Sequence, residues 1–94
     1  MEVRKQRLAH LECLAEKLTS NGFTAELASE ISKPCLKVAN ASTPTLNERV
    51  LCERADNGSW SYWWPWQQPI GSVEDLELVI NRIAIVLRSV EGDG

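Results

Sequence analysis

The sequence predicts an α+β fold: a two-layer sandwich in which a helix, an antiparallel meander of three or four strands and a second helix follow in order, both helices on one sheet face. Three observations predict it. Apolar residues recur at helical spacing near both ends of the chain, the period falls to two between them, and Asp56-Asn57-Gly58 separates two strand-like runs. The 94 residues make a single domain, 1–94, of a size expected to bury roughly 60–65% of the surface exposed by its unfolded chain. The last four residues, "EGDG", are expected to fray.

The first element is "VRKQRLAHLECLAEKLTSN". At 100° per residue, Val3, Leu8, Leu11, Leu14, Ala15 and Leu18 fall within an arc of about 140°, the stripe of an amphipathic helix. Asn21-Gly22 closes it, because glycine adopts the left-handed conformation without a Cβ clash. His10 lies at the edge of the stripe near Arg7 and Lys17, where a solvated or half-buried imidazole is expected rather than a catalytic one.

From Phe23 the alternation changes. Phe23, Ala25 and Leu27 share one face of a short strand, and Leu36 and Val38 share one face of the next, with a turn around Ile31 to Pro34. Whether the first of these strands pairs is left open by so weak a pattern. "NASTPTLN" reads as a loop around Pro44. "ERVLCERA" and "SWSYWWPW" are the arms of a hairpin, and Pro65 and Pro69 end the second arm. Ser72 with Asp75 then resembles a capping box for a helix from about Val73 to Val90. Its stripe of Val73, Leu76, Val79, Ile80, Ile83, Ala84, Val86, Leu87 and Val90 covers roughly 160°.

The hairpin register decides where the indoles go. A two-residue turn at Asn57-Gly58 would put Leu51, Trp60, Tyr62 and Trp64 on one face with Glu53 and Arg49. A three-residue turn with left-handed Gly58 instead pairs Ala55 with Ser59, Cys52 with Tyr62 and Val50 with Trp64. Val50, Cys52, Trp60, Tyr62 and Trp64 then share one face; Leu51, Glu53, Ser61 and Trp63 take the other. The second register keeps apolar side chains together and is the one expected.

A net charge of -3 with scattered Lys and Arg argues against nucleic acid as a partner. The N-terminus lacks the uninterrupted apolar run of a signal peptide, and no stretch approaches the roughly 18 residues of a membrane span, so a cytoplasmic protein without membrane contact is expected. Cys13, Cys35 and Cys52 are odd in number and widely spaced, which suits reduced thiols filling a core. One histidine and three separated cysteines give no metal set, and no phosphate-cradling or nucleophile-elbow motif is present. The expectation is a non-enzymatic chain with no cofactor and no catalytic residue.

The apolar residues that the core leaves over are Trp63, across from Leu51 on the outer face, Trp66 between two prolines, and Leu78 and Ile85, one heptad apart opposite the stripe of the last helix. Apolar spots of this kind are what partners cover. They point to an interaction module that holds a protein partner or, as a homodimer, itself. The alternative is a small-molecule binder, its aromatic pocket supplied with polar groups by Arg49, Arg54, Tyr62 and Gln67.

The run "SWSYWWPWQQPIGSVEDLELVINRIAIVLRSV" resembles the C-terminal part of short, uncharacterised proteins of actinobacterial type, with a Trp-rich strand, an Ile-Gly turn and a closing amphipathic helix. The resemblance covers the last third of the chain. It implies a cytoplasmic bacterial accessory protein and supplies no substrate, cofactor or site residue.

Overall fold

A computed structural model describes residues 2–29 and 34–87. Helix α1 (Glu2–Thr19) is followed by β1 (Phe23–Ser29), β2 (Pro34–Asn40), β3 (Asn47–Arg54), β4 (Trp60–Trp63) and β5 (Pro69–Ser72), and helix α2 (Leu76–Leu87) closes the chain. The five strands form one antiparallel meander in sequence order. Both helices pack on the same side of it, as the two-stripe pattern requires.

The α1 stripe buries Leu11, Leu14 and Leu18 completely, while Val3, at one end of the stripe, is exposed. The helix ends through backbone bonds from Ser20 to Glu16 and from Asn21 to Leu18, and Gly22 turns the chain at φ 90°. Strand β1 pairs with β2 along its whole length, Phe23 with Asn40 through Ser29 with Pro34. The loop expected after β2 is tied down by its asparagines. Asn40 Oδ1 accepts from the amides of Ser42 and Thr43, while its Nδ2 donates to the carbonyl of Leu87 at 2.9 Å and so joins the sheet to the end of α2.

The hairpin adopts the three-residue register. Cys52 faces Tyr62, Leu51 faces Trp63, the Ala55 amide donates to Ser59 at 2.8 Å, and Gly58 has φ 93°. Val50, Cys52, Trp60, Tyr62 and Trp64 are accordingly buried in one cluster with the stripes of the two helices. Burial of about 150–250 Å² per aromatic side chain makes this face the main apolar contribution of the hairpin.

The structure corrects five expectations. There are five strands, not three or four, because the chain turns back after Trp64 and Pro69–Ser72 pairs with β4. Proline is tolerated there as the first residue of an edge strand. Ile70 and Gly71 therefore lie inside a strand instead of forming a turn. The capping box is displaced: Ser72 ends β5 and its Oγ accepts from the Glu74 amide, whereas Asp75 Oδ1 accepts from Leu78 at 3.4 Å at the start of α2, so the helix begins at Leu76. Val86, at the margin of the α2 stripe, is 45% exposed. Cys13 is exposed and fills no core, while Cys35 and Cys52 are buried. The expected turn at residues 31–33 and the helix end at Val90 lie outside the described residues.

Candidate functional site

On β3 and β4 the outward positions follow from the pairing: Arg49, Leu51 and Glu53 on β3, Ser61 and Trp63 on β4. Among the described residues, the helices lie on the other side of the sheet. Leu51 and Trp63 are direct cross-strand partners, and both are half-buried. With Glu53, Trp64, Pro65 and Gln67 they line an open concavity of about 380 Å³. Lys37 of β2 stands opposite Arg49, and Glu26 of β1 opposite Lys37, so the same face continues as a charged stretch. Cys35 belongs to this face by alternation yet is fully buried, apart from the main core.

Trp66 stands elsewhere. It stacks on Trp64 with ring centroids 5.1 Å apart and planes 5° from parallel, and its Nε1 donates to Gln68 Oε1 at 3.0 Å. The stack leaves Trp66 half in solvent, 50% exposed. Beside it, Trp64, Gln68, Pro69, Arg82, Ile85 and Val86 line a second concavity of about 380 Å³. Ile85 is 68% exposed, and Val86 extends its patch.

The five candidate partner residues thus divide. Leu51 and Trp63 meet on the sheet, while Trp66 stacks on Trp64 and Ile85 shares a concavity with it. Leu78 joins neither group, being half-buried with its Cδ2 3.8 Å from the point where Gly71 would carry a Cβ. The missed strand β5 explains this, because it runs beneath the first turn of α2 and covers a residue on the far side of the helical stripe. Val86 was hidden among the stripe residues; its place at the margin of the arc was the only available signal.

Polar chemistry collects at the seam between α1 and the hairpin. Arg7 Nε donates to the Cys52 carbonyl at 2.9 Å, its Nη2 lies 3.6 Å from Glu53 Oε1, and its guanidinium sits 5.5 Å from the Trp60 ring centre. Among the described residues, β2 pairs with β3 as far as Val50, and Arg7 meets the β3 backbone two residues further on. His10 tilts against Trp60 at 5.3 Å, and burial lowers its pKa from the ordinary imidazole value. Tyr62 donates its hydroxyl to the His10 carbonyl at 2.5 Å, and burial pushes that phenol well above its usual range. Burial likewise pushes the Cys52 thiol up to about 12, against the opposing pull of Arg7, so it stays protonated at neutral pH. These groups satisfy one another, with no buried side-chain polar atom lacking a partner among the described residues. That is the pattern of a structural clamp.

Of the polar groups considered for a small-molecule pocket, Tyr62 is sealed in the core, Arg54 is exposed near the hairpin tip, and only Gln67 borders the Leu51–Trp63 concavity. No group of three or more His, Cys, Asp or Glu capable of holding a metal occurs among the described residues. None of the described helices is long and apolar enough to cross a membrane. Comparison with protein families, with curated proteins and with solved structures finds no match for this chain.

Proposed function

We propose that the chain is a non-enzymatic interaction module of the cytoplasm, an accessory protein whose binding surface is the outer face of the sheet around Leu51 and Trp63. The observation that carries this reading is their direct cross-strand pairing on the face turned away from both helices. A tryptophan placed in the interior secures stability, whereas one on a solvated sheet face brings little to the fold and is a favoured anchor for a partner. Pro65 and the edge of Trp64 widen the apolar area, and Glu53 and Gln67 rim it. Trp66 and Ile85 are further exposed apolar side chains, each beside Trp64.

A small-molecule site is less well supported. Its concavity is open, and the buried tyrosine that would orient a ligand spends its hydroxyl on His10. The test compares association of the wild type and Trp63→Ala, both with themselves by sedimentation and with proteins of the source cell by affinity capture. Loss of association in Trp63→Ala, with an unchanged far-ultraviolet circular dichroism spectrum, supports the reading. Identical behaviour of the two proteins in both assays would overturn it.

A further inference from the structure

We propose that the occupant of this face is a second copy of the chain, related to the first by a two-fold axis through Leu51. The inference rests on the reading above and names its partner.

Strand β3 carries the argument. Its outward side chains are Arg49, Leu51 and Glu53, spaced about 6.8 Å apart at two residues per step. The order is cation, apolar, anion, with the apolar residue at the centre. When two such sheets face each other about an axis that crosses the strands at Leu51, the strand meets its own copy running the other way. Leu51 then meets Leu51, and Arg49 of each copy lies over Glu53 of the other. One strand further along, Trp63 meets Trp63, since it is the register partner of Leu51. A two-fold contact must be complementary to itself, and this charge order satisfies the condition.

The geometry suits sheet-on-sheet packing. Facing sheets stand about 10 Å apart, a gap that leucine and tryptophan side chains from both sides fill. Sheet twist separates the outer strands, so contact concentrates on β3 and β4, where the apolar residues are. Glu53 is also ion-paired with Arg7 at 3.6 Å across the edge of the sheet, and a carboxylate has acceptor sites for more than one cation.

The test is a set of charge reversals read by sedimentation equilibrium. The wild type is expected to shift from one-chain to two-chain mass as concentration rises. Arg49→Glu and Glu53→Arg each place like charges together twice by symmetry, and each is expected to weaken the dimer by about tenfold or more. The double variant restores both pairs with signs exchanged and is expected to recover most of that loss. Because Glu53→Arg also disturbs Arg7, a second measurement stands apart from it. Leu51→Cys in a Cys13→Ser background, treated with a bismaleimide spanning about 10 Å, should give a cross-linked dimer.

A double variant no better than either single one, or no cross-link from Leu51→Cys, overturns the two-fold. A wild type that stays one chain at millimolar concentration overturns the second copy as occupant. If Trp63→Ala still abolishes capture of another protein in that case, the interaction surface stands and only its partner was misassigned. If it does not, both readings fail.

Discussion

Two turns in this chain have the same backbone and opposite chemistry. In Ala55–Ser59 the amide of Ala55 donates to Ser59 at 2.8 Å and the amide of Gly58 returns to Ala55 at 2.9 Å; in Trp64–Gln68 the amide of Trp64 donates to Gln68 at 2.8 Å and that of Gln67 returns to Trp64 at 3.0 Å. Each has its fourth residue in the left-handed region, Gly58 at φ 93° and Gln67 at φ 66°. The first turn obtains that conformation from glycine, where it is nearly strain-free. A side chain such as glutamine pays about 1 kcal/mol for it. The second turn offsets this with Pro65, which presets its first corner, and with the Trp64–Trp66 stack, whose worth beyond area burial is about 0.5–1.5 kcal/mol. One turn is therefore specified locally and the other by aromatic packing.

Breaking the packing should have the largest effect. Trp64→Ala removes a buried indole and the platform for Trp66, and is expected to cost about 3–5 kcal/mol in urea unfolding. Next comes the strand that the second turn delivers. A Cβ on Gly71 would lie 3.0 Å from Cγ2 of the fully buried Val79, which has to give by a few tenths of an ångström in a packed site, so Gly71→Ala is expected to cost about 1–3 kcal/mol, read as a lower unfolding midpoint. At the first turn, nothing lies within 4 Å of a Cβ on Gly58. Gly58→Ala should then cost only the backbone strain, about 1–2 kcal/mol. The smallest effect is a gain: Gln67→Asn should raise stability by roughly 0.5 kcal/mol, because asparagine tolerates the left-handed region better. If Gly58→Ala and Gln67→Asn were both neutral, the two turns would not differ in the way described.

The same contrast explains what could be read from the sequence. Asn57-Gly58 announces its turn in two residues, and with it came the register, the buried set of Trp60, Tyr62 and Trp64, and the outward pair of Leu51 and Trp63. The second turn has no glycine or asparagine to announce it, and Pro65 and Pro69 signal the end of a strand. Its stability comes from a ring stack and from pairing with β4, both invisible to local pattern. Missing β5 displaced the helix start from Leu76 to Val73 and hid the cover over Leu78. The α2 stripe was legible at its centre, where Val79, Ile80, Ile83 and Leu87 are buried, and misleading at its margin, where Val86 faces out. The face shared by Leu51, Glu53 and Trp63 was legible from the same turn, and the pairing of β2 with β3 adds Lys37 beside Arg49 on it.

Trp63 lies on an open sheet surface in the single chain, and the proposed second copy would cover it there. That covering is tested most directly by fluorine magnetic resonance of the chain labelled with 5-fluorotryptophan, followed by solvent-isotope shift through a dilution series. In dilute solution Trp63 and Trp66 should give solvent-sensitive resonances and Trp60 and Trp64 insensitive ones, with Trp63 alone losing its sensitivity as concentration rises. A Trp63 resonance insensitive at every dilution would place that indole in the interior, and one equally sensitive at every concentration would leave the face uncovered; either result is incompatible with a second copy docking over Trp63.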